Sequence, residues 1–196
     1  MPETFMSLDT LLSICLGLGL AAACGFRIFV PLLVMSIASF TGHLELSGQF
    51  AWIASLPAVI TLAVATLLEI GAYYIPWIDN LLDSVASPAA VVAGVVVSAS
   101  VITGMDPYLK WTLAVIAGGG VAGAVQVLTT GTRGASTLTT AGFGNPIVST
   151  FEAGGSLLTS LLALLAPILT VVLIAFFLLV VFLRIGRVGR RAAPAG

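Results

Sequence analysis

Charge is what this sequence has least of. Its 196 residues include 7 Lys and Arg and 8 Asp and Glu, 8% of the chain, where a soluble domain carries about a quarter. With 59% hydrophobic residues and a mean hydropathy of +1.18, that scarcity excludes a water-soluble fold. The formal net charge of -1 and the scattered bases give a nucleic acid nothing to bind, so no nucleic-acid partner is expected. Cysteine is nearly absent as well. Cys15 and Cys24 lie in one apolar run, separated along a helix by about 13 Å, too far for a disulfide. Without a His or a third Cys beside them they read as small core residues. His43, the single histidine, sits in the polar linker 41–49 next to Glu45 and reads as a solvated loop residue. No Ser/His/Asp or Cys/His set and no metal-spaced cluster occurs, so neither a classical hydrolase nor a cofactor enzyme is expected. The first ten residues contain Glu3 and Asp9 but no Lys or Arg. Lacking a positive n-region, they read as the lead into a retained span rather than a cleaved signal.

Long apolar runs are what the chain has in abundance: 11–40, 50–72, 88–103, 111–128 and 157–183. A helix needs about 20 residues to cross the hydrocarbon core, so the first and last runs are too long for one straight crossing. Each is expected to bend or break, the first at Gly25–Arg27 before Pro31, the last at Pro167. The fold expected is all-α: a polytopic transmembrane bundle of five or six segments with broken or re-entrant helices, in one domain spanning 1–196. The 21 glycines suit such a bundle, because small residues let helix backbones approach where lipid supplies no hydrophobic drive. Gly119 and Gly123 make a GxxxG flanked by Gly118/Ala122 and Gly120/Ala124.

Helix boundaries are signalled by prolines. Ser87-Pro88, Asp106-Pro107 and Asn145-Pro146 each set a capping residue before a proline, which the first turn tolerates because its missing N–H had no partner there. The third run is short, and it can also extend backward through 79–87. Pro76 is expected to end the second span. Tyr73, Tyr74 and Trp77, with Trp52 and Trp111, are expected to mark headgroup levels. Arg184, Arg187, Arg190 and Arg191 follow the last apolar run directly and place the C-terminus in the cytoplasm by the positive-inside pattern. Five crossings then put the N-terminus outside, six inside. A Gly/Ala-rich span precedes a polar-led helix in both 8–104 and 107–186, which raises an internal repeat with a binding site between its halves.

Ionisable residues at membrane depth need a partner or a water-filled cavity, since one charge at the bilayer centre costs about 2.5–3.5 kcal/mol even on the lenient insertion scale. The candidates are Arg27, Glu69, Asp79, Asp83, Arg133 and Glu152, with Asn145 and Ser149 as polar neighbours of the last. Arg27 has apolar neighbours on both sides, so it either joins a buried ionic site or snorkels from a helix break. Asp79 and Asp83 share a helix face with Ser87, Ala90 and Gly94, an acidic stripe suited to cation or proton exchange or to pairing with Arg27, or else a solvated amphipathic turn. Glu69 is either a buried partner or a headgroup-level acid. The segment 129–145 (TTGTRGASTLTTAGFGN) is too polar to cross lipid unaided. It reads as a surface loop or as a re-entrant loop whose Arg133 could hold an anion such as a lipid phosphate. Ser149 and Glu152 are expected in a helix first turn, where a carboxylate suits the dipole.

The runs GLAAACGFRIFVPLL (19–33) and LEIGAYYIPWIDNLLD (68–83), the SPAA at 87–90 and GNPIVSTFE (144–152) resemble the bacterial integral membrane proteins grouped as domain of unknown function 4126. The likeness spans nearly the whole chain. It implies one membrane domain, and it implies no activity and no catalytic residue. The function expected from the residues is a small inner-membrane transporter or channel-like protein, working as a homo-oligomer in the lipid bilayer and moving an ion, a small solute or an anionic lipid. The alternative is an assembly protein that docks other membrane proteins and pairs its charges internally.

Overall fold

The computed structural model describes residues 7–75 and 78–192. Expectations resting on residues 1–6, on Pro76 and Trp77, and on the side chains of Asp79, Arg190 and Arg191 lie outside the described residues. Those described are helical, with no strand among them: α1 (Leu8–Phe26), α2 (Phe29–Phe40), a 3-10 turn (Gly48–Ala54), α3 (Leu56–Ala72), α4 (Ile78–Val101), α5 (Pro107–Leu113) leading through a π-helical turn (Ala114–Gly118) into α6 (Gly119–Thr140), α7 (Asn145–Leu165) and α8 (Pro167–Ala192). Five of these segments are long and apolar enough to cross a membrane. The 3-10 turn and α3, bent by 68° from each other, make a sixth if counted as one span. At 12 residues α2 is about 18 Å long, short of a crossing.

The first apolar run breaks where expected. Arg27 is extended (φ -147°, ψ 132°) and ends α1, and Pro31 falls in the first turn of α2, where its missing N–H is harmless. The last run also divides at Pro167, but into two helices that run in opposite directions rather than one kinked span. Ser156 and Ala163 of α7 meet Ala23 and Gly19 of α1 in antiparallel order, whereas Thr170 and Phe177 of α8 follow Gly19 and Phe26 in parallel order.

Helix α1 is the hub, packed against α4, α6, α7 and α8. Its surface is glycine and alanine because backbones touch there. Ala21, Ala22 and Ala23 are fully buried, and a methyl added at Gly17 would stand 3.1 Å from the Ser98 Cα. The 118–123 glycines divide their duties between faces. Gly118 and Ala122 meet Ser98 and Gly94 of α4, Gly119 and Gly123 meet Val91 and Val95, and Gly120 faces open space. By these contacts α1, α3, α6 and α8 finish at the end of the bundle where α2, α4 and α7 begin.

Three boundaries differ from expectation. The polar segment 129–145 is not a loop, since α6 continues through it to Thr140 and only 141–144 turn, with Ala141 at φ 52° and Gly142 at φ 88°. Its threonine hydroxyls find partners within the helix itself: Thr132 donates to the Leu128 carbonyl, Thr139 to Ala135 and Thr140 to Ser136. Pro88 does not open a helix, because α4 extends back to Ile78 and holds Pro88 inside it. Asn145 is the first residue of α7 rather than its cap, which is Gly144, so Ser149 and Glu152 lie beyond the first turn. Asp106 does cap α5, accepting from the Tyr108 N–H at 2.9 Å.

Candidate functional site

The break after Phe26 strands polar backbone groups in an apolar setting, and neighbouring helices supply their partners. The Ala23 and Arg27 carbonyls accept from Ser156 Oγ at 2.9 and 3.5 Å, and the Gly25 carbonyl accepts from Thr129 Oγ1 at 3.3 Å. On the other side of the break, Glu69 reaches across from α3. Its Oε1 accepts from the Ile28 N–H at 2.8 Å and its Oε2 from the Phe29 N–H at 3.0 Å. A carboxylate borrowed from another helix thus caps the start of α2, which has no side-chain cap of its own.

The same break turns Arg27 inward. Its side chain is fully buried rather than snorkelled to the headgroups. Nη2 donates to the Ser149 carbonyl at 3.1 Å and to Ser149 Oγ, and it lies 3.3 Å from Glu152 Oε2. Glu152 also takes Arg133 in a two-pronged pairing: Nε at 3.1 and 3.0 Å from its two oxygens, and Nη2 donating to Oε2. The remaining nitrogen of Arg133, Nη1, donates to Asp83 Oδ1 at 2.5 Å. Arg133 and Glu152 are 3% and 6% exposed and Asp83 is 13% exposed, so the network is closed on one side and meets its surroundings at Asp83. Burying these charges is tolerable only because nearly every lone pair and proton has a partner. Arg27 departs from that rule: its Nε and Nη1 are buried and have no hydrogen-bond partner among the described residues.

One member of the cluster was misread in the sequence. Tyr73 is not a headgroup marker. It is buried, with the Arg27 guanidinium 3.8 Å and the Arg133 guanidinium 3.9 Å from its ring centroid. A tyrosine face suits both cations, and the spacing from Glu69 to Tyr73, one helical turn, would have placed them on a common face. Tyr74 stays exposed, bonded to Thr150 Oγ1 at 2.6 Å. Tyr73→Leu is expected to cost about 2 kcal/mol, the loss of two partly desolvated cation–π contacts, and Tyr73→Phe distinctly less. Thermal unfolding of both variants in detergent measures the difference.

Of the other candidates, Asn145 is buried and donates from Nδ2 to Thr137 Oγ1 at 3.0 Å, tying α7 to α6. The stripe below Asp83 is a packing face: Ala90 is fully buried, and Gly94 abuts Ala122 and the Gly118 carbonyl. Lys110, not singled out in the sequence, is 8% exposed toward the opposite end of the bundle and donates to Ser47 Oγ at 2.9 Å. His43 is exposed, with its ring Nδ1 2.9 Å from Thr41 Oγ1.

Two lipid-facing cavities end at this network. A cleft of about 490 Å³ between α3 and α4 has Glu69 and Tyr73 in its wall. A smaller hollow of about 200 Å³ lies among Phe26, Leu128, Phe151 and Phe177 and touches Glu152. The cleft is otherwise apolar, and the hollow adds Thr129 and Thr132.

The fold and site define a multi-pass helical membrane protein with a buried ionic cluster joining α1, α3, α4, α6 and α7. The chain belongs to the family described as domain of unknown function (DUF4126), whose model matches residues 14–187. No curated protein and no solved structure matches it.

Proposed function

We propose that this protein is a small membrane transporter or channel-like protein that moves an ion or small solute past the buried network. The observation that carries the reading is the ion-paired meeting of Arg27, Asp83, Arg133 and Glu152, with Glu69 beside it at the start of α2 and two Arg27 nitrogens without a hydrogen-bond partner among the described residues. A bundle needing only stability would do as well with apolar side chains there, because desolvating ion pairs offsets most of their attraction. Ionisable groups kept inside a membrane protein mark pathways and relays. The network draws Arg27, Glu69 and Asp83 from 8–104 and Arg133, Ser149 and Glu152 from 107–186, which is where a transporter of two repeat halves holds its site. Because α8 finishes at the network's end and carries Arg184 and Arg187 there, the positive-inside pattern turns that end toward the cytoplasm. A lipid phosphate fits less well, since Nε, Nη1 and Nη2 of Arg133 are all engaged by carboxylates.

The completeness of that Arg133 pairing favours a second reading, an assembly protein whose charges only hold its own helices. Flux in proteoliposomes separates the two. Asp83→Asn is expected to abolish ion flux per folded protein, with a smaller loss of melting temperature than removing the Glu152 charge causes, because Arg133 keeps Glu152. Absence of flux in the parent, together with a stoichiometric membrane partner on mild solubilisation, would decide for assembly.

A further inference from the structure

We propose that the cleft between α3 and α4 binds a monovalent organic cation with an apolar body, held by the carboxylate of Glu69. The charges of the network do not cancel. Arg27 and Arg133 are answered by Glu152 and Asp83, two against two, all within salt-bridge distance. Glu69 is a third carboxylate, and among the described residues no cationic group lies within 4.0 Å of it. Its hydrogen-bond partners among the described residues are the N–H groups of Ile28 and Phe29. An ionised carboxylate offers about four acceptor positions, so about two stay open. The N-terminus of α2 contributes only about half a positive charge. A surplus of negative charge therefore remains at membrane depth, where it calls for a counter-charge.

The cleft decides what kind of cation can answer it. Helix α3 packs on α2 and the 3-10 turn, and it diverges from α4 to leave the opening of about 490 Å³. Its walls are Leu68 and Ala72 of α3, Val85 and Ala89 of α4, and Phe29 at the start of α2, and among the described residues Glu69 is the one charged group lining it. A hard inorganic cation such as Ca²⁺ or Mg²⁺ needs about six oxygen ligands, and the lining has too few. An ammonium or phosphonium centre shielded by hydrocarbon needs none. It satisfies the carboxylate by charge and the walls by burial of its apolar body, and it can enter from the lipid side. Small residues at 72 and 89 leave room for such a body, which would sit beside the ring of Tyr73.

This inference rests on the transport reading only in naming its substrate class; the site can bind without carrying. Tetraphenylphosphonium and tetraphenylborate share one shape and opposite charges, so they isolate the electrostatic claim. With the purified full-length protein in neutral detergent, equilibrium dialysis is expected to show saturable binding of the phosphonium. Glu69→Gln, which can still accept a backbone N–H, is expected to weaken it by about 10- to 100-fold. Ala89→Phe, which fills the cleft without touching the network, is expected to abolish it while leaving elution and melting unchanged. Tetraphenylborate binding is expected to be weak and indifferent to Glu69→Gln. No phosphonium binding by the parent, unchanged binding in both variants, or tighter binding of the borate would each overturn the proposal. Phosphonium binding in a protein that gives no ion flux in proteoliposomes would leave the site standing and end the transport reading; ion flux without phosphonium binding would do the reverse.

Discussion

Glu152→Gln is expected to lower the stability of the detergent-solubilised protein by about 3–5 kcal/mol, the cost of breaking a buried ion pair from one side. Glu152 is the carboxylate that both arginines share. Without its charge, Arg133 keeps Asp83 at the rim, while Arg27 keeps only neutral Ser149 and the ring of Tyr73. Arg27 is then left with no acid within salt-bridge distance, in a pocket it shares with a second cation. The paired change Arg133→Met with Glu152→Met removes one charge of each sign and leaves Arg27 and Asp83 in balance. It is expected to recover at least half of the loss, because well-packed apolar groups replace a buried pair at little cost. Thermal and denaturant unfolding of the parent, Arg133→Met, Glu152→Met and the pair make a double-mutant cycle, and the coupling it yields is expected to be several-fold larger than for an exposed pair. A loss below about 1 kcal/mol, the range of surface pairs, would mean that water reaches the cluster freely.

How much of this was readable in advance follows from what each signal depends on. The break after Gly25 was legible because a charged residue and a proline stand close together inside an apolar run, and no straight helix accommodates both. The charges of the network were legible for the same reason: in so oily a chain each ionisable residue is conspicuous. Their pairing was not, since which helices carry Asp83, Arg133 and Glu152 to one point depends on packing through glycines far from all three. The helix through 129–140 was illegible because Thr and Gly are poor helix formers. Burial of Gln126, Thr129 and Arg133 along one face overrides that weak preference. The part played by Glu69 was hidden at a different level. A carboxylate that caps another helix from about 40 residues away leaves no local pattern, because the groups it satisfies are backbone amides with no side-chain signature.

Gly25→Ala is expected to cost about 3 kcal/mol, at the upper end of overpacking effects, and to disturb the site as well as the fold. The added methyl would stand 2.5 Å from Val125 Cβ and 2.6 Å from the Ala122 carbonyl oxygen. The second of these is backbone and cannot rotate away, so α6 must move off α1. That shift stretches the 3.3 Å bond from Thr129 to the Gly25 carbonyl. It also displaces Arg133, two turns further along α6, from Glu152 and from the Tyr73 ring it shares with Arg27. Gly94→Ala makes an equally close contact, 2.5 Å from Ala122 Cβ, but on the α4 side and away from the ionic cluster. Gly120→Ala meets nothing within 4 Å and is expected to be neutral or stabilising by up to about 1 kcal/mol through helix propensity. Melting in detergent should therefore rank Gly25→Ala and Gly94→Ala together, well below Gly120→Ala. Flux per folded protein should separate the first two, lost in Gly25→Ala and retained in Gly94→Ala, because only the α1–α6 contact at Gly25 sets the distance between the two arginines.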